Sequence, residues 1–170
     1  MSYDFYSLNG REKSLSLGES SMSFILQALD FEGVLSKEVD PEKWPEEPEC
    51  LYGSIQIEDA FGNKCWDELR ELLPILDYDK VRHYYKLRQE HVSICVLPLI
   101  PSFKFRSNDG WIVMPEECGI ICDALLNFYG KMNHSNSFTK VFIGDWQWNV
   151  IDEFADFNKV CIPVGGYEVL

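Results

Sequence analysis

Six cysteines and three histidines are the side chains in this sequence best suited to act as a nucleophile or to hold a metal, and their spacing limits what they could do. Cys50, Cys65, Cys95, Cys118, Cys122 and Cys161 form no CxxC pair, and His83, His91 and His134 form no HExxH. A thiolate nucleophile needs a base beside it, and a zinc site needs three or four converging ligands. Cys118 and Cys122 share one helical face, but that face is apolar, so they read as small buried hydrophobes. All six read as reduced thiols. GxSxG, GxGxxG and the phosphate loop are missing, and the double glycine at 165–166 reads as an isolated turn signal. Paired carboxylates are plentiful, but in an acidic chain their number is not specificity. The expectation is therefore no catalytic residue, no metal and no cofactor. One rival stays open: an enzyme of unrecognised class whose Cys, His and carboxylate groups meet only in the fold.

The charge says more. The net charge is −13, and the first sixty residues hold 13 acids against 4 bases. Such a surface repels nucleic acid and anionic membrane, and it speeds the approach of a basic protein. Two stretches suit protein recognition. From Ser36 to Glu49 three prolines forbid a regular helix or a central strand, so this acidic run reads as a surface loop. Asp40, Glu42, Glu46, Glu47 and Glu49 would steer a partner, and Trp44, set between prolines, would anchor it. The second stretch starts at Asp145. On a helix Trp146 would face inward with Val150 and Phe154, leaving Trp148 outward alongside Asp152 and near Asp145, in a stretch that also carries Glu153 and Asp156, where its ring could meet a Lys or Arg. The bases Lys80, Arg82, Lys86 and Arg88 lie between Asp77, Asp79 and Glu90 and read as a solvated helix face.

These residues need a scaffold, and the pattern of apolar residues supplies one. The centre is a helix from Pro115 to Met132, with Cys118, Ile121, Cys122, Leu125, Leu126, Tyr129 and Met132 as its apolar stripe and Glu117 on the other side. Pro115 suits a first helical turn, and Glu116 and Glu117 complement the dipole. Tyr3–Leu8 and Ser14–Leu17 read as a hairpin around Asn9-Gly10. A helix capped by Ser20 or Ser21 should run to Phe31 and stop at Gly33. Further strands are expected at Leu51–Ile57, Val92–Leu97, Thr139–Ile143 and Val160–Val164, with a hairpin joining Phe103–Arg106 to Trp111–Val113. Further helices are expected from near Asn63 to before Pro74, from Asp77 or Asp79 to about Gln89, and after an Asp145 cap. That order is α+β: one domain over residues 1–170, with a mixed or mainly antiparallel sheet packed against several helices.

At 170 residues with 46% hydrophobic content, the chain is long enough to build a core without staples. It contains no run of ~18 apolar residues, and its first residues show neither a basic leader nor an apolar core segment, so a cytoplasmic location is expected. A small, acidic, aromatic-rich domain of this kind resembles the immunity proteins of bacterial toxin systems, including contact-dependent growth inhibition; the Trp146–Trp148 helix and the Val160–Gly166 segment prompt the likeness. The resemblance implies a protein that occludes the active site of a cognate toxin, often a basic nuclease. A structural or adaptor subunit, for instance from a phage, is the other alternative.

Overall fold

Alternating side chains build the first strands. In the computed structural model, which describes residues 2–8, 14–36, 44–106, 110–134 and 144–170, β1 (Ser2–Ser7) and β2 (Ser14–Gly18) pair antiparallel. Phe5 lies opposite Leu15 and Tyr3 opposite Leu17, which puts Phe5, Leu15 and Leu17 on the buried face. β6 (Tyr167–Val169) adds to the other side of β1, and β5 (Trp111–Val113) pairs with β6. The result is a four-stranded antiparallel sheet in the order β2–β1–β6–β5. A separate parallel pair joins β3 (Leu35–Ser36) to β4 (Ile100–Pro101). The fold is α+β.

Three helices pack on this sheet: α1 (Glu19–Phe31), α5 (Pro115–His134) and α6 (Asp145–Cys161). The seam of α5 is Cys118, Ile121, Leu125 and Phe128, a strict three–four repeat. Leu126, expected on the stripe, is exposed because it falls one residue off that seam. On α6 the buried set is Val150, Ile151, Phe154, Ala155, Phe157, Asn158 and Cys161. Phe5, Phe154, Phe157 and Tyr167 meet at the centre, with Tyr167 at 5.6 Å and 84° from Phe5 and at 5.1 Å from Phe157. Such tilted and edge-to-face contacts add to plain burial. Both helix starts differ from expectation. Gly18, not Ser20 or Ser21, is the N-cap of α1, and Gly144, not Asp145, is that of α6, where its N–H donates to the Gln147 side chain.

The chain divides into two compact units, Met1–Asp40 with Ser93–Leu170, and Pro41–Val92. The second is helical: α2 (Ile55–Gly62), α3 (Trp66–Leu72) and α4 (Ile75–Val92), preceded by a 3-10 turn at Glu49–Gly53. Its core is Leu51, Ala60, Leu69, Leu73, Val81 and Tyr84.

Several expected strands are absent. Leu51–Ile57 is 3-10 turn and helix, because Ser54 takes extended backbone and its hydroxyl accepts from the Ile57 N–H as an N-cap. Val92–Leu97 is no strand: Val92 closes α4, and Val96 forms only an isolated bridge to Leu99. Phe103–Arg106 is a 3-10 turn at Ser102–Phe105 and its end, so Trp111–Val113 pairs with β6 instead. Val160 and Cys161 end α6, Ile162–Val164 is 3-10, and the last strand starts after the two glycines. Thr139–Ile143 lies outside the described residues.

Candidate functional site

The acidic loop enters the helical unit as irregular backbone over residues 44–48, as its prolines require. Trp44 is folded back: its ring centre lies 4.6 Å from that of His91, and the Arg88 guanidinium stands 6.0 Å over its face. Glu46, Glu47 and Glu49 are exposed. The Tyr52 hydroxyl donates to the Glu47 carboxylate, and this bond is the main reason the hydroxyl is held above its ordinary range. Asp77 pairs with Lys80 at 2.9 Å, and the Cys50 thiol donates to the Asp77 carbonyl at 4.0 Å, tying the 3-10 turn to the first turn of α4. Asp40 and Glu42 lie outside the described residues.

The helical unit also leaves large apolar side chains in water. Tyr52 is 64% exposed, Ile55 76%, Ile75 80% and Leu76 76%, and Leu72 is partly exposed. Tyr52 lies in the turn that touches α4, Ile55 opens α2, and Ile75 and Leu76 open α4 itself. The sequence reading missed all four, although a signal was present. The buried seam of α4 runs Tyr78, Val81, Tyr84, and in α2 Ile57 and Ala60 face the core. Ile75, Leu76 and Ile55 are off those seams, so no core position accounts for them.

On the sheet-bearing unit the two tryptophans exchange their expected places. Trp146 is half exposed, and Trp148 packs edge-on against Tyr129, with ring centres 4.9 Å apart at 76°. The reason is the α6 seam, which runs back from Asn158 through Ala155 and Ile151 to position 148 and passes 146 by. Asp152 and Asp156 are exposed on α6, and Asp156 with Glu153, Lys159 and Pro163 lines a shallow cleft of about 850 Å³. A second cleft of about 360 Å³ lies on α1, lined by Tyr3, Glu19, Gln27, Asp30, Ser102 and Arg106 among others. Neither cleft is lined by a cysteine or a histidine.

One charged pair lies in the interior. Glu117, expected on the polar side of its helix, is fully buried, and its carboxylate accepts from the Lys104 ammonium at 2.6 Å and from the Met114 N–H at 2.8 Å. Glu117 is the third residue of α5, and bonding back to the N-cap amide is what a Glu there does. Lys104 also donates to the Ile112 carbonyl at 2.7 Å, which ties the 3-10 turn to β5. Burial pushes the Lys104 ammonium below the usual lysine range and the Glu117 carboxyl above the usual carboxylate range, while each partner's charge acts the other way. With both side chains fully buried and three hydrogen bonds made, the pair is structural, although the second Glu117 oxygen has no partner among the described residues.

The six cysteines form no disulfide, and Cys118 and Cys161 are buried. Burial raises the Cys118 thiol far above its ordinary value. Among the described residues no group of three His, Cys, Asp or Glu side chains is placed to hold a metal ion, and no helix is long and apolar enough to cross a membrane. Comparison with protein-family models, curated proteins and solved structures returned no match.

Proposed function

We propose that this protein binds a basic protein partner and neutralises it by covering its active surface, as an immunity protein covers its toxin, and that the helical unit makes the contact. The observation that supports this reading is the exposure of Ile55, Ile75 and Leu76 on the same unit as the exposed carboxylates Glu47 and Glu49. Isolated exposed aliphatic residues are ordinary, but three so open on one small unit that also exposes carboxylates would offer a partner both apolar anchors and negative charge. Burying each such side chain is worth roughly 1.5–3 kcal/mol before the costs of association are met. The carboxylates supply the long-range part: they draw a cationic surface in and set its orientation. Trp44 then has a supporting part, holding the acidic loop against the end of α4 through His91 and Arg88.

The test starts from a pull-down with the intact chain at low and at high salt, followed by kinetics with the purified partner. One basic protein at near equal stoichiometry, released by salt, is the expected outcome. Changing Glu46, Glu47 and Glu49 together to Lys should slow association and flatten its salt dependence. An unchanged association rate at low salt would remove the acidic loop from the account.

A further inference from the structure

The four-stranded sheet ends differently on its two sides. Asp4 and Leu170 exchange both backbone hydrogen bonds, at 2.9 and 2.8 Å, and the Leu8 N–H donates to the Gly166 carbonyl at 3.1 Å. Even-numbered residues of β1 therefore turn their backbone groups toward β6, and odd-numbered ones toward β2. Tyr3 and Phe5 are aligned with Leu17 and Leu15, so those two leucines bond to β1, while Ser14 and Ser16 send their N–H and C=O groups out of the sheet. β2 is the last strand in the order, and among the described residues no strand pairs with its outer side. Edge strands are commonly blunted by a charge, a proline or brevity. At the other edge β5 has only three residues, and the Lys104 ammonium occupies its Ile112 carbonyl at 2.7 Å. β2 has five residues, Ser-Leu-Ser-Leu-Gly, with neither charge nor proline.

This open edge adjoins the 850 Å³ cleft, which β2 lines with Ser14 and Leu15 and α6 lines with one of its faces. Glu153, Asp156, Phe157 and Val160 recur on that face at steps of three and four. Leu15, Phe157, Val160 and Pro163 supply apolar surface, and the exposed Glu153 and Asp156 set two negative charges against the one positive charge of Lys159. We infer that the outer edge of β2 takes up an extended segment of a partner protein as an added antiparallel strand, with basic side chains at alternate positions. Backbone groups of the segment bond to Ser14 and Ser16 and supply affinity, as in other strand additions to a sheet edge. Every second side chain falls on the face that Leu15 shares, where a Lys or Arg lays its stem along the apolar residues and brings its charge to Glu153 and Asp156. The antiparallel sense follows the rest of the sheet, in which every pair is antiparallel. This inference lies in the sheet-bearing unit and stands apart from the binding surface proposed for the helical one.

An amide NMR titration of the full-length, isotope-labelled chain tests it, with hydrogen exchange read on the same samples. The probe is the hexapeptide acetyl-Lys-Thr-Lys-Thr-Lys-Thr-amide, beside two relatives N-methylated at every Thr or at every Lys. Opposite residues of an antiparallel pair share a face, so Thr lies across from Ser14 and Ser16 and exchanges backbone bonds with them, while Lys lies across from Leu15 and Leu17. The expected result is saturable shifts at Ser14, Leu15 and Ser16, with exchange at the Ser14 and Ser16 amides slowed only in the complex. Methylation at Thr should weaken binding about tenfold, because the donors of the new ladder are lost, and methylation at Lys should change it less than about twofold. Glu153→Gln with Asp156→Asn, both at exposed positions, should weaken the parent peptide roughly fivefold at low salt. Ser16→Pro, tolerated at an edge because the lost N–H points outward, should abolish binding. Any other order of the two methylated peptides or no binding by the parent overturns the inference. So does broadening at β2 that grows with protein concentration alone, which would give the edge to a second copy of the chain.

Discussion

Phe5, Phe154, Phe157 and Tyr167 in the sheet-bearing unit lie against one another with almost no surface in water, whereas Ile55, Ile75 and Leu76 in the helical unit stand more than two-thirds exposed. Each unit is built from amphipathic helices, so the contrast is not one of element type. The larger unit has a sheet to receive its helix stripes, and even its inner charges, Lys104 and Glu117, are paired and hydrogen-bonded. The smaller unit closes a core of six residues and leaves apolar side chains over. A unit that size gains little from further burial within itself. Aliphatic residues placed off the core seams therefore point to the solvent, and the proposed function gives them a partner to meet there.

The largest effects are expected inside the sheet-bearing unit. Glu117→Ala strands the Lys104 ammonium in the interior and should cost about 3–5 kcal/mol in denaturant unfolding. Lys104→Met with Glu117→Leu should recover most of that loss, because no charge then remains buried. Gly166→Ala comes next. Gly166 has φ +93°, and a Cβ there would run into the Val113 carbonyl of β5. The substitution should cost at least ~2 kcal/mol, from the left-handed backbone and from a displaced sheet edge.

In the helical unit the same chemical change should divide sharply by position. Leu69→Ala empties a fully buried site and should lose about 2–4 kcal/mol. Ile75→Ala should stay within ~0.5 kcal/mol, as measured by thermal unfolding of the two variants side by side. Equal losses at both positions would end the distinction between core and surplus apolar residues. The smallest effect is chemical. Cys65 and Cys95 are exposed and should react with iodoacetamide in the native state, while Cys118 and Cys161 should not until the chain unfolds. Local desolvation and then the Glu117 charge hold the Cys95 thiol above its ordinary value. Its alkylation should therefore keep accelerating as the pH rises past neutrality, followed by mass spectrometry of the intact chain.

Long periodic segments were legible in the sequence because many residues vote for one face. The helix from Pro115, the hairpin at Tyr3–Leu17 and the helices ending near Phe31 and Gln89 all stand close to where the pattern puts them. Short segments were not. Leu51–Ile57 alternates like a strand, yet one Ser54 cap is enough to turn it into helix, and Val92–Leu97 is apolar only because a helix end and a turn adjoin. The tryptophans at 146 and 148 show the same limit, since a two-residue choice of seam decides which ring is buried. Glu117 was misread because periodicity cannot see a lysine arriving from a distant 3-10 turn, although its place in the first helical turn already gave it a bonding partner. Of the proposed binding surface, the acidic loop could be read and the exposed aliphatic residues could not, because a residue is recognised as surplus only once the core seams are known.

The most direct test of the central claim is the affinity of the double variant Ile75→Ser and Leu76→Ser for the partner captured by the native chain, measured by titration calorimetry beside a thermal melt. A loss of about a hundredfold in affinity with an unchanged melting temperature is the predicted result, on the order of 3 kcal/mol for two anchors removed from an interface. Native affinity in a folded double variant would show that the exposed end of the helical unit is not the binding surface.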